Sequence, residues 1–80
     1  MKLPNNYFKV ETKRLRENHN HIEKDFFETK EEAENCFKLR LETVEYGFLQ
    51  GRYIEYSVTL AECDIEKQLT RIHKIRKAPL

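Results

Sequence analysis

The sequence predicts an α+β domain of ββαββ order, a four-stranded, mainly antiparallel sheet with one helix packed across one face. Three observations lead there: period-two alternation near the N-terminus, a capped apolar repeat at three- and four-residue spacing from Thr29 to Gly47, and a long β-branched alternation after it. Residues 1–80 are expected to form one small domain, with 1–5 and 78–80 fraying at its ends.

In the first stretch, Asn6 to Arg16, Phe8 and Val10 fall on one face and Tyr7, Lys9 and Glu11 on the other, which suits a half-buried strand. Glu-Asn-His-Asn at 17–20 is turn chemistry, because asparagine tolerates left-handed backbone and bonds its own chain. The following segment puts Ile22 and Phe26 on one face of a second strand, completing a hairpin.

Thr29 and Glu32 form a capping-box pattern, and Glu31, Glu32 and Glu34 sit where a helix dipole favours anions. Ala33, Cys36, Phe37, Leu41, Val44 and Phe48 then make one apolar stripe. Gly47 is expected to end the helix in the left-handed conformation.

Next, Ile54, Tyr56, Val58 and Leu60 are predicted to line one face of the best strand, with Glu55, Ser57 and Thr59 on the other. The polar residues 64–68 suit a hairpin connection. For Leu69 to Lys77, the spacing of Leu69, Ile72 and Ile75 in threes permits a terminal helix. Two points favour a strand: Thr70, Ile72 and Ile75 are β-branched, and the preceding strand needs a hydrogen-bonding partner. A bulge would absorb the imperfect alternation, and Pro79 cannot continue a ladder. Strand order 2-1-3-4 makes every pair antiparallel and sets the first and last strands one strand apart. The alternative places strands two and three side by side in parallel, with the basic strands at opposite edges.

Composition is 39% hydrophobic and 36% charged. This is too apolar for a disordered tail and exceeds the roughly one-quarter charge of an ordinary domain. No apolar run has the length of a membrane span, and the first residues lack the apolar core of a secretory signal. A complete small cytoplasmic protein beginning at its initiator Met is the expectation. Cys36 and Cys63 are expected to be reduced thiols.

Net charge is +1 but strongly segregated: residues 1–16 carry +4, 17–45 carry −5, 46–66 carry −3 and 67–80 carry +5. Basic ends flank an acidic middle.

His19 and His21, two apart on an extended segment, can point the same way, yet no second cluster has metal spacing. A polar turn is the better account, and no metal or cofactor is expected. Cys36 belongs to the helix stripe, and Cys63 lies beside Glu62 and Asp64, whose charges discourage a thiolate. Glu31, Glu34, Glu42 and Glu45 read as a solvated helix face or an acidic docking surface. With two glycines and no Ser-His-Asp pattern, the chain offers no phosphate loop or nucleophilic triad, and a non-enzyme is expected.

The basic ends carry the strongest functional signal. Lys9, Lys13, Arg14 and Arg16 accompany the first strand; Arg71, His73, Lys74 and Arg76, with Lys67 and Lys77, accompany the last. If these strands share the open face, their cations could follow a phosphate backbone, with Tyr7 and Tyr53 as stacking surfaces. Lysines and arginines on edge strands also discourage unwanted sheet pairing. Tyr53, Phe27 and Leu39 are candidate anchors because each falls off the buried face of its element.

A compact chain with dense segregated charge, no catalytic constellation and a ββαββ outline resembles the small proteins encoded by phages and mobile elements, among them anti-CRISPR inhibitors. That resemblance implies a protein that blocks a nucleic-acid-guided effector by occupying its surface; it assigns no role to any individual residue. The leading expectation is a non-enzymatic protein, monomer or homodimer, that docks a charged sheet surface on a larger protein or nucleoprotein complex. The alternative is a nucleic-acid-binding regulator using the basic first and last strands.

Overall fold

The computed structural model describes residues 6–79; the expected fraying of 1–5 and of Leu80 lies outside the described residues. Strands β1 (Asn6–Arg16) and β2 (His19–Phe27) make the first hairpin, α1 spans Lys30–Leu49, and β3 (Glu55–Asp64) and β4 (Leu69–Ala78) make the second. The sheet order is β2-β1-β3-β4, antiparallel at every pairing. The helical crossover thus returns β3 to the free edge of β1, and the two basic strands flank β3.

α1 begins as its sequence directs. Thr29 Oγ1 accepts the Glu32 N–H at 3.3 Å and donates to the Glu32 carboxylate at 2.9 Å, so the returning carboxylate meets the hydroxyl rather than the Thr29 backbone N–H. The other end corrects the sequence reading. Gly47 is buried inside the helix, and the chain turns at Gly51, whose φ is +78°. The Gly51 N–H bonds Phe48 O at 3.0 Å and the Arg52 N–H bonds Gly47 O at 2.9 Å, the Schellman pattern that occupies the last free carbonyls. Gly47 serves packing instead: a Cβ there would collide with Tyr53 Cε2.

One face of the sheet lies under the helix. Val10 from β1 and Tyr56, Val58 and Leu60 from β3 pack against Ala33, Phe37 and Val44 of α1, with Phe8, Phe27, Cys36, Leu41, Phe48 and Ala78 at the margin. Burying these apolar groups is the main force holding helix to sheet. Ile54, predicted in line with Tyr56, precedes β3 and is 53% exposed. Its N–H still extends the pairing by bonding Leu15 O at 2.8 Å. β4 also continues through Ala78, whose methyl group packs on the core margin, so the strand runs one residue into the segment expected to fray.

The expected bulge is present in β4. Leu60 pairs with Lys74 and Ala61 with Ile72, which leaves His73 as an extra residue. Both His73 and Lys74 consequently reach the helix side. His73 Nε2 meets Glu62 Oε1 at 2.9 Å, while Lys74 Nζ lies 3.8 Å from Glu34 and over the Phe37 ring.

Candidate functional site

Alternation in the strands decides which charged side chains meet. In β1 the even positions, Phe8 to Arg16, face the helix, and the odd positions, Tyr7 to Leu15, face away. Lys9 and Lys13 are therefore on the open face, whereas Arg14 and Arg16 are on the covered one. In β4 the register puts Arg71 opposite Glu62 and Arg76 opposite Val58, so both join His73 and Lys74 on the helix side. Of the nine residues singled out for macromolecule binding, the open face brings together only Lys9 and Lys13. Arg14, Arg16 and Tyr53 gather on one flank of the helix, and Arg71, His73, Lys74 and Arg76 on the other. The continuous basic track envisaged from the sequence does not form.

The cations on the covered side are largely engaged. Arg14 donates to Glu23 at 2.6 Å, and Arg40 from α1 reaches Glu23 at 3.0 Å and Asp25 at 3.1 Å. Burial alone would raise the Glu23 carboxyl; the Arg14 hydrogen bond and the charges of Arg40, Arg14 and His21 outweigh it and hold the group below its ordinary value. The Glu62 carboxyl is lowered by hydrogen bonds from His73 and Asn6. Cys36 Sγ lies 3.7 Å from Asp25, and burial together with that carboxylate pushes its thiol upward, away from nucleophilic character. Both cysteines are free thiols.

Tyr53 holds Arg14 and Arg16 above its ring, at 5.9 and 5.3 Å from the centroid. The guanidinium groups thus compete with any base for this ring, and Gly47 lies against its edge. Phe27 and Leu39 border a groove of about 590 Å³ beside the helix with Cys36, Arg40 and Thr43. Phe27 also packs on the core, so Leu39 is the more exposed of the two.

The open face carries a different surface. Across its rows stand Phe26, Lys9, Ala61 and Ile72; then Lys24, Glu11, Thr59 and Ile75; then Ile22, Lys13, Ser57 and Lys77. Phe26 is 58% and Ile72 59% exposed, and Ile22 and Ile75 are also well exposed. Ala61 and Cys63 are buried on this uncovered side because both are small and lie between longer neighbours from β1 and β4. Glu11 sits 3.6 Å from Lys9 and 3.3 Å from Lys13. Burial would raise its carboxyl, but those lysines and Lys24 bring it below the ordinary value. Toward one end the face hollows into a concavity of about 570 Å³ lined by Lys13, Leu15, Asn20, Ile22, Ser57 and Lys77, among others.

Sequence reasoning missed Lys24, Lys77 and the four large apolar groups as one surface. The signal was present in the alternation of Ile22, Lys24 and Phe26, but the β4 contribution depends on where the bulge falls. Among the described residues, no group of three or more His, Cys, Asp or Glu side chains has the arrangement of a metal site, and no helix is long and apolar enough to cross a membrane. No family model, curated protein or solved structure matches this chain.

Proposed function

We propose that this chain is a non-enzymatic binding protein that docks the open face of its sheet on a larger protein or nucleoprotein complex. The observation that carries this reading is the exposure, on one rigid face, of Ile22, Phe26, Ile72 and Ile75 around Lys9, Lys13, Lys24 and Lys77. Apolar groups supply affinity when a partner removes them from water, while surrounding cations select the partner and its orientation. The complementary partner surface is an apolar patch ringed by carboxylates. Small size and the ββαββ outline, resembling those of anti-CRISPR inhibitors, support a role as a phage-type inhibitor or regulator. The two free thiols suit a reducing cytoplasm.

Nucleic-acid binding is the second reading, favoured by Tyr7 and Phe26, whose rings lie 5.9 Å apart beside the open-face lysines. Against it, Glu11 occupies the middle of the lysine cluster, and isoleucines offer no stacking surface. Fluorescence anisotropy with single- and double-stranded DNA and RNA at low and moderate salt separates the two. Docking on protein predicts no salt-sensitive nucleic-acid binding, together with a protein retained from native lysate after nuclease treatment. Steep loss of nucleic-acid binding with added salt would replace the first reading by the second.

A further inference from the structure

One corner of the covered side collects side chains that protein docking through the open face does not use. The β1–β2 register sets Arg14 opposite His21 and Arg16 opposite His19, with Glu23 one pair further along the same face. Tyr53, delivered by the turn after α1, completes a recess of about 300 Å³ lined by these six residues. The imidazoles of His19 and His21 are 6.4 Å apart and tilted by 38°.

Arg14 is 8% exposed, and among the described residues Glu23 is the acceptor that its guanidinium meets. Glu23 is itself shared with Arg40 and with His21, the latter at 3.3 Å. Glu23 therefore meets Arg14 and His21 within the recess and Arg40 from behind it, which leaves Arg16 and His19 with no carboxylate at ion-pair distance among the described residues. Both guanidinium groups lie over the Tyr53 ring, which holds them at the recess.

We propose that this recess binds a phosphoryl group. A tetrahedral oxyanion offers oxygens in several directions, matching donors that arrive from two adjacent strands, whereas a planar carboxylate engages one guanidinium fork. Two arginines make the recess hostile to a divalent cation at the histidine pair. The proposal is independent of open-face docking, since the recess lies on the opposite side of β1 and β2.

The test is an NMR titration with inorganic phosphate at constant ionic strength, following the Arg Nε and His ring resonances, with glycerol phosphate as a second ligand and chloride as the control. Saturable shifts at Arg14, Arg16, His19 and His21 are expected with phosphate and not with chloride. Tighter binding of glycerol phosphate would identify a phosphate ester as the preferred form, tighter binding of inorganic phosphate would identify the free ion, and equal binding would show that the phosphoryl group alone is recognised. In the Arg16→Gln/His19→Gln variant, both exposed positions, affinity should fall by about tenfold or more with the backbone amide spectrum preserved. The Phe26→Asp variant should bind phosphate like the parent. Shifts that never saturate, that chloride reproduces, that centre on Lys9, Lys13, Lys24 and Lys77, or that survive in the double variant would overturn the proposal.

Discussion

The two faces of the same sheet solve opposite problems with similar residue types. Beneath α1, apolar side chains meet across a closed interior, and several charged groups at its margin find an opposite charge from another element: Arg14 with Glu23, Arg40 with Asp25, Lys74 with Glu34. On the other side, Ile22, Phe26, Ile72 and Ile75 stand in water among lysines, and Lys24 and Lys77 have no carboxylate within ion-pair distance among the described residues. Removing apolar surface from water stabilises the first arrangement; the second leaves that gain unrealised until something covers it. The contrast places the stabilising burial on one face and leaves the other as the surface proposed for docking.

Truncation on the covered side should produce the largest effect on stability. Leu60 is fully buried between sheet and helix, so Leu60→Ala should cost about 2–5 kcal/mol in urea unfolding. A loss under about 1 kcal/mol would mean that the helix does not close the core as described.

Gly47→Ala comes next. Its methyl group must displace the Tyr53 ring, and thermal unfolding should report a loss of about 1–3 kcal/mol despite alanine's better helix propensity. A neutral or stabilising result would show that Tyr53 is not held against the helix.

Acid should weaken the covered side through its ion pairs. The Glu23 carboxyl is lowered from 4.5 in the folded chain, so its contribution is complete above that value and is lost as pH falls through the folded value. Glu23→Gln should cost about 1 kcal/mol near neutral pH, with partial exposure limiting the effect, and the deficit should shrink as acid protonates the carboxyl. A deficit independent of pH would point to lost packing instead of lost charge.

A change of opposite sign tests the one buried polar side-chain atom without a partner among the described residues, Thr12 Oγ1. Thr12→Val replaces that hydroxyl by a methyl group of similar size and should raise the urea midpoint, by about 1 kcal/mol in stability. Destabilisation would imply that the hydroxyl is satisfied in solution.

How these faces would divide was only partly legible in the sequence. The capping box, the apolar stripe and two alternating stretches specify the helix and hairpins, because each signal is local and repeats with the period of its element. That the last segment is a strand follows from giving β3 a hydrogen-bonding partner, whereas the sequence left two strand orders open and the structure has the fully antiparallel one. The basic ends misled because charge was counted by segment, whereas a strand distributes it by parity. The alternation that put Phe8 and Val10 opposite Lys9 already separated Arg14 and Arg16 from Lys13. In β4 parity itself fails, since the extra residue at His73 turns His73 and Lys74 to the same side. Gly47 and Gly51 were both available to end the helix, and only the contact with Tyr53 distinguishes a packing glycine from a turning one.

The most direct measurement replaces Phe26 and Ile72 together by aspartate and follows unfolding and partner capture in the same preparation. The account predicts stability within about 0.5 kcal/mol of the parent, with loss of the protein that the parent retains from nuclease-treated native lysate; Leu39→Asp, beside the helix, should retain it. Capture unchanged by the double substitution, or lost only with Leu39→Asp, would contradict it.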